Sequence, residues 1–486
     1  MKTDYVPQNQ RKKILLLCDD IRMMSGISTM AREIVVGTAN HYNWVNIGGA
    51  INHPDQGKRL DLNDDTNKHA DINDASVMLY PINGYGDPMF LKQMIAMEKP
   101  DAIMMFTDPR YWVWLFQMEH EIRKTIPIIY LNIWDDLPYP MYNKSFYESC
   151  DALLAISKQT ENINRSVLGK EIASEKIIKY IPHGINEKFF FPITSEHIEY
   201  LALQDFKKQL YENKIYDFTV LYNARNIRRK SVPDLMLAWK IFIDEMSEHK
   251  AKKCALILHT QISDENGTDL QAVKDMLFGY DEKYNIIFNQ DKYPSNVMNL
   301  LYNATDATAL VSSNEGWGLS LTEAMMCGKP IIATVTGGMQ DQMRFEDENG
   351  DWIKFTEEFG SNHRGKYKKH GKWAYPVFPS NLSIVGSIPT PYIFDDRAEP
   401  FDIAAQITAL YDTKMTMPEQ YAEECKAAYE WVTSDESMQS ARLMCKNIIE
   451  GIDETFDKWT PRHRFELIQV ETLKQPKHYV RYAISK

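Results

Sequence analysis

The stretch Ser313-Asn314-Glu315-Gly316-Trp317-Gly318-Leu319-Ser320-Leu321-Thr322-Glu323-Ala324-Met325-Met326-Cys327-Gly328-Lys329-Pro330-Ile331-Ile332-Ala333 constrains this chain more than any other. It predicts a glycine loop, a helix that starts on small residues, and an apolar strand after Gly-Lys-Pro. The run Ala307-Thr308-Ala309-Leu310-Val311 predicts the strand that feeds the loop. A glycine loop lets backbone N–H groups approach an anion closely, and a helix N-terminus favours negative charge there. Glu315 and Glu323 lie eight positions apart and offer acceptors for hydroxyls on either side of that anion. A diphosphate flanked by two sugars fits this arrangement.

The rest of the chain repeats the strand–helix alternation. Lys13–Cys18, Ala102–Phe106, Ile126–Leu131 and Ala152–Ile156 read as buried strands of a first half. Gly26 opens a helix that runs to about Val36. Near Ile181-Pro182-His183-Gly184 and Phe189-Phe190-Phe191-Pro192 the pattern breaks, and a polar helical stretch runs to about Asn213. A second series follows at Phe218–Tyr222, Ala255–His259, Asn285–Phe288, Ala307–Val311 and Pro330–Ala333. Strands alternating with helices imply βαβ units and a parallel sheet in each half.

With 486 residues, both halves can hold a sizeable core. No apolar run reaches the roughly 18 residues that span a membrane. The polar start from Met1 to Lys13 lacks the apolar core of a signal peptide, so a cytoplasmic location is expected. The six cysteines are scattered with no Cys-x-x-Cys pair, which argues against a disulfide framework or a zinc site. A net charge of −12 argues against a nucleic-acid binder that works by bulk electrostatics. Two basic stretches run against that balance. Arg364, Lys366, Lys368, Lys369 and Lys372 accompany Tyr367 and Trp373, and the tail from Lys458 to Lys486 holds seven Lys/Arg against two Glu.

The pattern Glu-Gly-x-Gly-Leu-x-x-x-Glu-Ala-Met, followed by Gly-Lys-Pro-Ile-Ile-Ala, resembles the Glu-x7-Glu signature of retaining, nucleotide-sugar-dependent glycosyltransferases of the GT-B fold, family four in particular. The resemblance covers roughly residues 12 to 340. It implies an α/β architecture of two Rossmann-like, doubly wound domains facing a cleft, with C-terminal helices crossing back to the first domain. The expected divisions are an acceptor domain over 1–195, a donor domain over 214–435, and a helix and tail over 436–486. A long aromatic and proline-rich segment, about 345–400, departs from the family's pattern. It is either a device for acceptor specificity or a packed hairpin.

The resemblance also assigns roles. Arg225 and Lys230, in Ala224-Arg225-Asn226-Ile227-Arg228-Arg229-Lys230-Ser231, match the family's Gly-Arg…Lys-Gly and would grip the donor diphosphate. Such cations neutralise a leaving diphosphate as its bond to the sugar breaks. Glu315 would hold the donor sugar, and the backbone of Gly316, Gly318 and Leu319 would face the distal phosphate, with Thr322 as a further phosphate contact. Glu323 would accept from the ribose hydroxyls. Gly26, flanked by Ser25 and Ser28, matches the first-half glycine loop that approaches the donor phosphate or acceptor. In Tyr130-Leu131-Asn132-Ile133-Trp134-Asp135-Asp136-Leu137-Pro138, Trp134 or Asp135 stands where the family often has a histidine. Asp135 or Asp136 then either orients the acceptor hydroxyl or caps a helix. His183 stands in place of the family's asparagine in Pro-Asn-Gly-Val and is expected to pack at the hinge.

No cofactor and no metal are expected beyond the nucleoside-diphosphate sugar, since no Asp-x-Asp pair follows a strand and the histidines lack metal spacing. Transfer would retain configuration, the acceptor attacking from the face the diphosphate leaves. The acceptor is open: a glycan, a lipid or a small molecule. Three alternatives compete: a glycogen- or sucrose-type synthase, a viral-type enzyme that glycosylates modified DNA bases through the basic-aromatic insert Arg364–Trp373, and a non-catalytic sugar-nucleotide-binding scaffold.

Overall fold

Apolar runs bounded by charge, such as Ile14–Cys18, have no polar face to give to water and become inner strands covered on both sides. The computed structural model describes residues 5–50, 52–356 and 361–462. In the first half, β1 (Lys12–Asp19), β2 (Tyr42–Ala50), β3 (Leu60–Asp61), β4 (Val77–Asn83), β5 (Ala102–Phe106), β6 (Ile128–Asn132), β7 (Ala152–Ala155) and β8 (Ile177–Tyr180) form one sheet in the order β3-β4-β2-β1-β5-β6-β7-β8. Only β3 is antiparallel, and it pairs at the edge with β4. In the second half, β9 (Phe218–Asn223), β10 (Cys254–His259), β11 (Ile286–Asn289), β12 (Ala307–Leu310), β13 (Ile331–Thr334) and β14 (Ala374–Val377) run in the order β11-β10-β9-β12-β13-β14. Counted from its own first strand, this is the doubly wound order 3-2-1-4-5-6, whose ligand crevice lies where the order reverses.

The expected strands and helices are present, with differences that have physical reasons. The first helix runs Gly26–Thr38, capped by the Ser25 side chain on Ser28 N–H. The departing segment 345–400 is not wholly an addition, because Ala374–Val377 is the sixth strand of the second sheet. Pro376 is tolerated there because β14 is an edge strand. The remainder of that segment includes an antiparallel hairpin outside both sheets, β15 (Asn381–Val385) and β16 (Ile393–Arg397). Of the C-terminal helices, Pro400–Thr416 and Pro418–Val432 stay on the second half, and Ala441–Lys458 alone crosses back.

That last helix is locked against the first half. Tyr42 Oη donates to Asp453 at 2.6 Å. A Cβ at Gly37 would sit 2.3 Å from Cys445 Sγ, so the two helices touch backbone-close only because Gly37 has no side chain. The two crossing strands of chain run side by side: Ile185 N–H donates to Gln439 O and Ala441 N–H to Ile185 O, both at 2.9 Å. His183 is buried at this crossing, edge-on to Phe106 and Trp317 from opposite halves, and burial pushes its pKa down to about 3. It is a neutral packing group there. All six cysteines are free thiols. Among the described residues no helix is long and apolar enough to cross a membrane. Most of the basic tail, 463–486, lies outside the described residues.

Candidate functional site

The helix Leu319–Met326 follows β12 after the loop 311–318, and Gly318 supplies the turn with a φ of +87°, which a side chain would strain. The first-half helix opens opposite it: a Cβ on Gly26 would lie 3.3 Å from the Leu319 side chain. Two helix N-termini therefore come together at the cleft, and each favours an anion near it. Ser25 is held there by Asp19, which also accepts from Tyr85 Oη at 2.8 Å.

Glu315 is the centre of the charged cluster. Its Oε2 accepts from Lys230 Nζ, from Arg229 Nη1 at 3.0 Å and from Ser312 Oγ at 3.2 Å. Burial would raise this carboxyl, but Lys230 and Arg229 beside it hold it down at about 2. The cluster is built by a 3-10 turn, Arg228–Lys230, closed by Ser231 at φ +51°. Such a turn sets successive side chains roughly 120° apart, so neighbours in sequence point to different places. Arg229 also donates to Asn314 O at 2.7 Å.

The sequence-based pair of Arg225 and Lys230 is therefore divided. Lys230 is in the cluster. Arg225 is bonded to Asp264 at 2.6 Å with 59% of its side chain exposed, and the guanidinium on Glu315 is that of Arg229. The signal for Arg229 was its place in the basic run beside Lys230. Thr322, expected as a further phosphate contact, keeps its hydroxyl inside the second half. Its hydroxyl is fully buried, accepts from Trp317 Nε1 at 2.9 Å and donates its one proton to Gln342 at 2.8 Å.

Glu323 faces the end of β9. Tyr302 Oη donates to it at 2.5 Å and accepts from Asn223 Nδ2 at 2.7 Å. Burial raises the Glu323 carboxyl to about 7 despite the tyrosine's bond. Tyr302, which the sequence did not single out, thus holds the carboxylate assigned to a ribose.

From the first half, the loop after β6 brings Asp135 and Asp136 to the cleft. Gly316 packs against it, a Cβ there falling 3.0 Å from Ile133 O. Burial raises Asp135 to about 6, with Arg229 pulling it down and Glu315 pushing it up. Asp136 is raised further, by burial and by the like charge of Asp135. Neither aspartate side chain caps a helix: Trp134 Nε1 takes the Asp136 carbonyl at 3.1 Å and Gln159 the Asp135 carbonyl at 2.6 Å.

The basic-aromatic stretch Arg364–Trp373 does not present Trp373 as a stacking platform. Trp373 is buried, stacked on Trp431 at 5.6 Å, and its Nε1 donates to Gln342 O at 3.0 Å.

Comparison with known proteins bears on the fold and on part of the second half. Residues 205–359 match the model of the family glycosyl transferases group 1. No curated protein matches the sequence. The fold is that of solved GT-B glycosyltransferases. It is similar to Anabaena HepE, crystallised with UDP and glucose, at 15% identity and a TM-score of 0.61, covering 91% of this chain and 100% of that one. It is similar to the sucrose-phosphate synthase of Thermosynechococcus elongatus at 16% identity and a TM-score of 0.61, covering 92% and 100%. The α,α-trehalose 6-phosphate synthase of Burkholderia multivorans has 11% identity and a TM-score of 0.58, over 92% and 99%.

Proposed function

We propose, from a second half that matches the glycosyl transferases group 1, that this chain moves a sugar from a nucleoside-diphosphate sugar to a hydroxyl acceptor with retained configuration. The observation that carries the reading is the Lys230–Glu315–Arg229 cluster set beside two helix N-termini. The diphosphate belongs where those cations and N–H groups converge. Glu323, held by Tyr302, takes the ribose hydroxyls, and Glu315 takes hydroxyls of the transferred sugar. The UDP and glucose bound to Anabaena HepE support a uridine nucleotide as the first donor to test.

In the reaction the bond from the anomeric carbon to the β-phosphate oxygen breaks, and the leaving charge is met by Lys230 and Arg229. The acceptor oxygen bonds to the same carbon on the same face, and its proton passes to the departing phosphate oxygen. No separate strong base is then required.

The test is release of nucleoside diphosphate by the purified chain from UDP-glucose, UDP-N-acetylglucosamine, GDP-mannose and ADP-glucose, with Glu323→Ala beside it. One donor is expected to be hydrolysed slowly, and the variant to lose that release by about tenfold or more. Absence of both binding and release for every donor would refute the transferase reading.

A further inference from the structure

The hairpin β15–β16 belongs to neither sheet, yet it is tied to both halves. Toward the first, Phe394 N–H donates to Leu137 O at 2.5 Å, Tyr142 Oη donates to Tyr392 O at 2.9 Å, and Arg110 is bonded to Thr390. Toward the second, Asp396 N–H donates to Ser313 O at 2.9 Å, and Thr336 Oγ1 donates to the Asp396 carboxylate at 2.7 Å. Ser313 is two residues from Glu315, so the hairpin is anchored at the rim of the charged cluster.

Its tip lines a cavity of about 320 Å³. Trp134, Asp135 and Asp136 form the first-half wall, and Val385, Ser387 and Ile393 face them from the hairpin. Asp135 lines this cavity, and a Cβ on Gly337 would lie 2.1 Å from Glu315 O and 3.4 Å from Asp135 Oδ2, which puts the cavity beside the cluster.

The wall defines the occupant's chemistry. Asp136 Oδ1 is buried with no hydrogen-bond partner among the described residues. A buried polar atom without a partner costs free energy, so a hydroxyl that pairs with it is favoured. Burial and the neighbouring Asp135 raise the Asp136 carboxyl, so a hydroxyl suits it better as a partner than an anion does. Trp134 supplies an apolar ring, and Arg110, paired with Asp108, adds a further polar group. A lipid tail would bury against these polar groups without satisfying them. The size is at the lower end of small-molecule sites, which run roughly 300–1,000 Å³.

We propose that the hairpin Asn381–Arg397 is the outer wall of an acceptor pocket for one small sugar or other polyol, one of whose hydroxyls pairs with Asp136. The proposal rests on the transferase reading and adds the acceptor class to it.

The test runs in two stages with the full chain. Donor binding and hydrolysis to water are measured first, with no acceptor present, and absence of both for every donor sinks the transferase reading before the pocket is addressed. Glucose, mannose, fructose, trehalose, myo-inositol and glycerol are then added with a hydrolysed donor, beside maltoheptaose and hydroxymethylated DNA. Product with at least one of the six small polyols is expected. In Val385→Trp, which fills the cavity, the ratio of transfer to hydrolysis is expected to fall at least about tenfold. Asp136→Leu should lose transfer similarly, and Asp136→Asn, which keeps a polar partner for a hydroxyl, should recover most of it. Transfer only to maltoheptaose or DNA, hydrolysis with no transfer to any acceptor, or an unchanged ratio in Val385→Trp would each overturn the pocket while leaving the donor reading standing.

Discussion

The two halves share one winding and use it for opposite purposes. Leaving aside the edge strand β3, the first sheet also runs 3-2-1-4-5-6 from its own first strand, with β8 added at the end. At the strand ends of the second half, charges are compensated in advance: Glu315 sits between Lys230 and Arg229. At the end of β6 in the first half, Asp135 and Asp136 stand together with no cation bonded to either side chain among the described residues. On the proposed transferase reading, the phosphates of an incoming dianion exchange with Glu315 for the same donors. Buried carboxyls with no cation bonded to them leave acceptors that a hydroxyl can satisfy.

The largest effect should come from breaking the compensation. Lys230→Ala leaves Glu315 with Arg229 alone and removes a cation from the leaving diphosphate. Donor turnover should fall by about 10²–10³, as for removal of a preorganised charge-stabilising donor. The Lys230 side chain is only 10% exposed, so breaking its pair also costs about 3–5 kcal/mol of stability. Turnover measured well below the lowered melting temperature separates the two losses. Turnover within twofold of wild type would mean that the cluster is an ordinary structural ion pair.

The next test sharpens which guanidinium belongs to the donor half. Arg229→Ala should cost about tenfold or more in donor turnover, and Arg225→Ala clearly less, because Arg225 is anchored on Asp264. The reverse order would show that Arg225 leaves Asp264 when a diphosphate arrives. Side-by-side steady-state rates decide it.

That contrast also marks what the sequence could and could not convey. The Glu315–Ala333 unit was legible because loop glycines, helix and apolar strand are contiguous, and so were strands such as Ile14–Cys18 whose apolar runs are unbroken. β2 was not, because Asn43, Asn46 and two glycines interrupt it. Asn46 is nevertheless buried, its Nδ2 donating to Leu16 O and its Oδ1 accepting from Ile21 N–H, both at 3.3 Å. A polar residue satisfied by its neighbours breaks the pattern without breaking the core. The hairpin was illegible as a cleft element for another reason. Its anchors, Ser313, Leu137 and Tyr142, are distant in sequence, and its exposed Leu382 and Ile384 carry no period that names a partner. Arg225 and Arg229 differ only by the course of the 3-10 turn, which spacing does not encode.

The smallest effect concerns Glu323 and the pH at which the donor half is ready. The carboxyl is raised by burial from about 4.5 in the unfolded chain to about 7 in the folded one. Between those values the folded chain binds the extra proton, so this group's contribution to stability is full below about 4.5 and is lost as pH rises through about 7. Donor binding should run the other way, because only the carboxylate accepts from two ribose hydroxyls. Affinity for a nucleoside diphosphate should therefore rise by roughly threefold or more from pH 6 to pH 8. Asp135, raised to about 6, and Asp341, raised to about 7, titrate in the same range, so the wild-type slope alone does not identify the group. Glu323→Gln does: it cannot ionise, and its slope should be flatter by the Glu323 share. Calorimetric titration of both proteins across that range supplies the comparison. Parallel slopes would take Glu323 out of the ribose site and leave Tyr302 with a structural bond only.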